Sequence, residues 1–269
     1  MLSITFNLAK DDLIYGRPDR VRAYIFRGVF MKMLADIDNS LIEYLHRPNE
    51  IRPYSIKLKY YKNEIQFIVN IFHENLSNEL LKFILSKKNQ ELNVGGSNYL
   101  INNVNVELID FSSFLKSSNS IVKFKLKFLT PTYFQKKNSS ITVRFPYPVS
   151  LFTNLTHLWN ELTPNDCHID FKDFYDWIDK NLFLTSYNLR TRTIDIGKKS
   201  RPVGFVGWAT FINTDPENGF SNWLDTLCKF GEYTNLGGNR TSGCGSIEYI
   251  KYEILEVEES ATNSHMSGE

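Results

Sequence analysis

The period of the hydrophobic positions changes repeatedly along this chain, and the changes divide it into short elements. LSITFNL at the start alternates, which predicts a strand with Leu2, Ile4, Phe6 and Leu8 on one face. Val21, Ile25, Val29, Met33 and Ile37 then recur at every fourth position and predict a helix over residues 21–38; NSLIEYLH predicts a short second helix. Pro48 and Pro53 end it and impose an extended link. YSIKLKYYKNEIQFIVNIF reads as a hairpin turning at Lys62-Asn63. ENLSNELLKFILSKK is an amphipathic helix with Leu76, Leu80, Leu81, Ile84 and Leu85 inward, and SNYLINNVNVELID is a further strand. That order, β-α-β-β-α-β, is the ferredoxin-like unit.

After Phe111 to Ser120, polar and serine-rich enough to be a link, the pattern restarts. IVKFKLKFLTPTYF reads as a strand, FPYPVSLFTNLTHLWNEL and DFKDFYDWIDKNLF as helical segments, and SYNLRTRTIDIG with VGFVGWATFIN as paired strands. A helix over Asn218 to Lys229, with Phe220, Trp223, Leu224, Leu227 and Cys228 at helical spacing, leads to a last strand, GSIEYIKYEILEV. The second half repeats the topology of the first without repeating its residues. The expected fold class is α+β: two tandem ferredoxin-like (RRM-like) units at residues 1–115 and 116–258, with a polar, disordered tail at 259–269.

Composition narrows the setting. A chain of 269 residues with 42% hydrophobic content can fill two modest cores. Cys167, Cys228 and Cys244 form no CxxC pair and have no histidine cluster beside them, which argues against a disulfide framework or a zinc site and fits a reducing cytoplasm. No apolar run reaches the ~20 residues of a membrane span, so a soluble protein is expected. The formal net charge of +1 hides an uneven distribution. No acidic residue occurs from Lys116 to Phe145, a stretch that holds Lys123, Lys125, Lys127, Lys136, Lys137 and Arg144. A second basic stretch holds Arg190, Arg192, Lys198, Lys199 and Arg201. Such runs are either solvated faces or a nucleic-acid footprint.

Between the last helix and the last strand lies FGEYTNLGGNRTSGCG, residues 230–245. Gly237, Gly238, Gly243 and Gly245 permit unusual backbone turns, and Asn239, Arg240, Thr241 and Ser242 offer polar contacts suited to a phosphorylated partner. No Gly-Lys-Ser/Thr ends the loop and a strand follows it, so it is not a Walker loop. A tight helix-to-strand connection is the alternative. VGFVGWATF has an RNA-recognition flavour, but alternation puts Phe205 and Phe211 on one face, read as core, and Trp208 on the other.

The architecture, the glycine loop with Asn235-Leu236-Gly237 and Gly243-Cys244-Gly245, FRGVFMKML, the threonine-proline pair of FLTPTYF and RPVGFVGWATF together resemble the RAMP superfamily of CRISPR-associated proteins. More narrowly the chain is similar to its repeat-RNA processing endoribonucleases. The resemblance implies cleavage of precursor transcripts into guide RNAs without metal or cofactor. The ribose 2′-hydroxyl attacks the adjacent phosphate, leaving a 2′,3′-cyclic phosphate and a 5′-hydroxyl. It implies His46 of YLHRPN as the acid-base residue, which as the last residue of a helix could equally be a dipole cap. Arg52 falls near the family's lysine, with Lys57 as runner-up or as a solvated strand residue. Met31 stands where the family often has tyrosine, leaving Tyr24 and Tyr44 as substitutes or packing residues. RNA contacts are expected from Lys136, Lys137, Arg190, Arg192, Arg201, Asn239, Arg240, Thr241 and Ser242. Implied partners are CRISPR repeat RNA, as precursor and processed guide, and effector-complex subunits, with a homodimer left open and no membrane. A non-catalytic repeat-RNA-binding subunit and a generic tandem RNA-recognition protein remain the alternatives.

Overall fold

Leu2, Ile4, Phe6 and Leu8 line one face of the first strand, each at most 2% exposed. The computed structural model describes residues 1–9, 23–45, 50–61, 64–86, 91–135, 141–197 and 201–255. In the first unit β1 (Leu2–Ala9) is followed by helices α1 (Ala23–Ile37) and α2 (Asn39–Leu45), strands β2 (Tyr54–Tyr60) and β3 (Glu64–Ile71), helix α3 (Glu74–Ser86), and strands β4 (Glu91–Val94) and β5 (Ser97–Leu108). The strands pair antiparallel in the order β2-β3-β1-β5-β4. Leaving out β4, that is the ferredoxin-like order, and it makes β2 an edge strand. Phe26, Phe30 and Leu34 of α1 pack with Leu76 and Leu80 of α3 on the alternate apolar positions of β1 and β3. Strand β4 escaped the sequence pattern because it is short and joined to β5 through Gly95-Gly96, both at positive φ.

The link carries structure of its own. Helix α4 (Phe111–Lys116) starts where the Asp110 carboxylate accepts from the Ser112 amide at 3.1 Å. Its Phe114 is buried edge-on against Trp159 and Phe230 of the second core. Phe111 meets the same two rings edge-on, and this aromatic pair, embedded among serines, makes the segment a packed helix rather than a polar tether.

The second unit comprises β6 (Ile121–Thr132), a ribbon of β7 (Phe134–Gln135) and β8 (Thr142–Val143), helices α5 (Pro148–Leu162) and α6 (Phe171–Asn181), strands β9 (Leu182–Thr193) and β10 (Val203–Asn213), helix α7 (Phe220–Thr234) and β11 (Ile247–Ile254). Its four-stranded sheet has the order β11-β6-β10-β9, again ferredoxin-like. Phe124, Phe128, Phe205 and Phe211 point to the helices, as alternation requires, and meet Phe152, Trp159 and Phe230. Helix α7 runs past Lys229 to Thr234 because Phe230 and Thr234 are themselves buried. The Asp225 carboxylate, fully buried on α7, is paired with Lys229 and Lys251 at 3.0 Å each and accepts from Tyr249 Oη and the Asn119 amide. Burial alone would raise its pKa; these donors outweigh burial and hold it below the usual carboxylate range.

Candidate nucleic-acid interface

An unpaired sheet edge is a row of open hydrogen-bonding groups that must be covered. The carbonyls of Arg52, Tyr54 and Ile56, alternate residues and so on one side of the strand, all receive donors from the glycine-rich loop. Asn235 Nδ2 donates to Ile56 O at 3.0 Å, Arg240 Nη1 to Tyr54 O at 3.0 Å, and Arg240 Nη2 to Arg52 O. The same guanidinium reaches Thr234 O at 3.5 Å. Behind this edge, Ser55 Oγ and Asn70 Nδ2 both donate to Tyr233 O, tying the first sheet to α7.

The loop is shaped to make this closure. Asn235 and Asn239 sit at φ of 60° and 55°, which asparagine tolerates better than most residues. Gly237, at φ 68°, lies so near the end of β6 that a Cβ would stand 2.1 Å from Tyr133 O. A Cβ on Gly245 would stand 1.8 Å from Leu236 O. The loop amides face protein: Gly237 N donates to Asn154 Oδ1 at 2.8 Å, Gly238 N to Tyr133 O at 3.0 Å and Gly245 N to Pro131 O at 3.1 Å. Asn239 Nδ2 donates to Tyr133 Oη.

These facts correct one expectation. Arg240, Thr241 and Ser242 turn inward, at 5–7% exposure, because the β2 edge demands donors, and a planar guanidinium supplies several in one fork. Asn239 alone of the four is only partly buried, and its side-chain amide is given to Tyr133 Oη.

Arg52 occupies the junction. Its Nε donates to the carbonyl of Leu45, the last residue of α2, at 3.1 Å, while its own carbonyl receives Arg240. The chain leaves Leu45 directly into His46. His46, Lys136 and Lys137 lie outside the described residues.

Lys57 is not a solvated strand residue. It is 8% exposed on the face of β2 that meets α7, whereas Lys59 two residues on is exposed. Desolvation drives its pKa down to about 7 against the opposing pull of Glu232. Burial in turn raises the Glu232 carboxyl, which accepts from the Tyr249 amide at 3.0 Å. Met31 packs against the first core. The Tyr44 ring lies 5.3 Å from that of His73, and Tyr24 lies under the Gly197 turn of the second unit.

Arg190 and Arg192 belong to a different surface, the face of the second sheet turned away from its helices. Their register partners on β10 are Val206 and Gly204, and Trp208 aligns with Asn188 and Lys127. Lys125 Nζ stands 4.7 Å from the Trp208 ring centroid and 4.9 Å from that of Tyr252. Arg201 is exposed just before β10. Tyr252, which the sequence reading did not single out, shares this face with Lys125, as the alternation of KFKLK against YIKY implies. Among the described residues, no group of three or more His, Cys, Asp or Glu is placed to hold a metal, and no helix is long and apolar enough to cross a membrane.

Residues 126–247 match the family described as CRISPR-associated endoribonuclease Cas6. No curated protein matches the chain. Among solved structures, a Cas6 product complex (TTHB231, Thermus thermophilus) superposes with a TM-score of 0.77 at 18% identity, covering 93% of this chain and 98% of that one. A second Cas6 product complex (TTHA0078) gives 0.74 at 17% identity over 93% and 99%. A RAMP protein described as binding different RNA substrates gives 0.56 at 11% identity over 93% and 100%. The family match thus covers most of the second unit, and the fold is shared with the solved Cas6 and RAMP structures over nearly the whole chain.

Proposed function

We propose that this chain binds CRISPR repeat RNA and cuts precursor transcripts into guide RNAs by metal-independent attack of a ribose 2′-hydroxyl, leaving a 2′,3′-cyclic phosphate and a 5′-hydroxyl. The observation that carries the reading is the continuous linkage from loop to helix end: Arg240 holds the Arg52 carbonyl, and Arg52 holds the Leu45 carbonyl. It fixes the guanidinium of Arg52 beside the point where the chain enters His46. In this reading His46 exchanges the proton of the 2′-hydroxyl or the leaving oxygen, and Arg52, permanently charged, stabilises the pentacovalent phosphate. Lys57, with a pKa of about 7, is a second group able to exchange a proton near neutrality. Repeat RNA is held by Arg190, Arg192 and Arg201 together with Lys136, Lys137 and the partly exposed Asn239.

A second reading, a non-catalytic subunit holding repeat-derived RNA in an effector complex, is favoured by Met31, which puts a core thioether where the family's tyrosine hydroxyl would be. Incubating the purified protein with its repeat RNA in excess chelator, then analysing the ends, separates the two. The processing reading expects a single cut with a 2′,3′-cyclic phosphate. An intact RNA, a 3′-hydroxyl end, or cutting that appears only with added magnesium or manganese would overturn it.

A further inference from the structure

The outward face of the second sheet has a chemistry that duplex recognition does not need. Trp208 projects from β10 and Tyr252, 48% exposed, from β11, with β6 between them. Two strand spacings separate the rings by about 10 Å. Lys125 rises between them, its ammonium within 5 Å of both centroids. Glu248 neutralises Lys127 at 2.9 Å and Glu253 aligns with Lys123. Net positive charge on this face is therefore carried by Lys125, Arg190 and Arg192.

We propose that this face is a stacking platform for unpaired nucleotides of the RNA. Bases stack on Trp208 and Tyr252, while Lys125, Arg190 and Arg192 take the phosphates between them. The proposal rests on the repeat-RNA reading above and adds a substrate class to it: single-stranded RNA flanking or within the repeat. Burial and packing explain Phe205 and Phe211, but not an indole and a phenol held on the solvent side of the same sheet around one cation. A-form duplex hides its base faces inside the stack, so flat rings on the solvent side among cations, Tyr252 exposed and Trp208 partly so, select strands whose bases are free. The ammonium over both rings marks where a cation and an aromatic face already meet; an entering base replaces it over the ring and leaves it for the phosphate.

The test uses the full chain and two labelled probes, an oligouridine of about 12 nucleotides and a blunt RNA duplex of similar length. Trp208→Phe should keep oligouridine affinity within about threefold, whereas Trp208→Leu combined with Tyr252→Leu should weaken it about 10-fold or more, with duplex affinity and melting temperature unchanged. Equal oligouridine affinity in wild type and the double variant, or no oligouridine binding by wild type, overturns the platform. Should the double variant unfold, photocrosslinking of 5-bromouridine RNA to wild type decides: adducts at Trp208 or Tyr252 support the platform, and adducts only elsewhere refute it. Cleavage of repeat RNA is read in parallel. Wild type that cuts the repeat but ignores oligouridine sinks the platform alone; wild type that holds oligouridine on these rings and never cuts sinks the processing reading alone.

Discussion

Removing Arg240 separates a phosphate contact from a keystone. Its guanidinium serves the main-chain carbonyls of Arg52, Tyr54 and Thr234, and hydrogen bonds from a charged donor are worth about 1.5–3 kcal/mol each. Arg240→Ala therefore forfeits roughly 5–9 kcal/mol of gross interaction. Against that stands relief from burying the cation, whose cost shows in a pKa lowered to about 10, chiefly by desolvation. The net loss expected is about 3–4 kcal/mol, in the usual range for breaking a buried charged network. For a chain of this size that lowers Tm by about 10 °C. Arg240→Met, which keeps the aliphatic stem, should lose nearly as much, because the donors and not the packing hold the β2 edge. The assay pairs thermal unfolding by circular dichroism with repeat-RNA binding across a salt series. A side chain bonded to carbonyls releases no counterions, so the salt slope of the variants should equal that of wild type at temperatures where they stay folded. A Tm within about 2 °C of wild type, together with a slope shallower by about one, would refute the reasoning and return Arg240 to the RNA.

Two further outcomes follow from the same seam. Gly245→Ala forces a Cβ to within 1.8 Å of Leu236 O at a φ of 73° and should abolish soluble folding or cost more than about 3 kcal/mol, whereas Gly219→Ala, with open space at that position, should leave the melting temperature unchanged. Lys57 has a folded pKa of about 7 against an ordinary 10.5, so the folded chain binds fewer protons than the unfolded one between those values. Stability should rise with pH across that window, and below about pH 7 the full cost of burying the ammonium is present. Lys57→Met should be the more stable protein at pH 6.5 by roughly 2–5 kcal/mol and lose that advantage by pH 10, measured by urea unfolding; parallel pH profiles for the two proteins would contradict the burial account.

Much of the fold was legible because its signal is periodic. Alternation in β1, β6 and β10 marks the apolar face of each strand, and both sheets followed from the order of such segments; in α1 the fourth-residue repeat gave the helix but not its core stripe, which is Phe26, Phe30, Met33 and Leu34, with Ile25, Val29 and Ile37 only partly buried. Helix α4 and strand β4 were not legible, since a six-residue and a four-residue element are too short to show a period and are held by distant partners: Trp159 and Phe230 for one, β5 for the other. The glycine loop was legible as a special backbone but misread in direction. Nothing local in GGNRTSG reveals that an edge strand some 180 positions earlier, at Arg52 to Ile56, needs its donors. The burial of Lys57 was hidden for the same reason, because α7 covers that face from the other unit.

We propose that RNA is cut at the junction of α2, Arg52 and the glycine loop, with His46 moving the proton. Single-turnover cleavage of repeat RNA by His46→Ala in chelator, with RNA affinity and melting temperature taken on the same preparation, tests it most directly. The rate should fall by at least ~100-fold, the smaller end of a positioned acid-base group's contribution, with affinity and melting temperature nearly unchanged. A normal rate accompanied by a melting temperature lowered by the ~0.3–2 kcal/mol of a lost helix-end charge would contradict it and make His46 a cap.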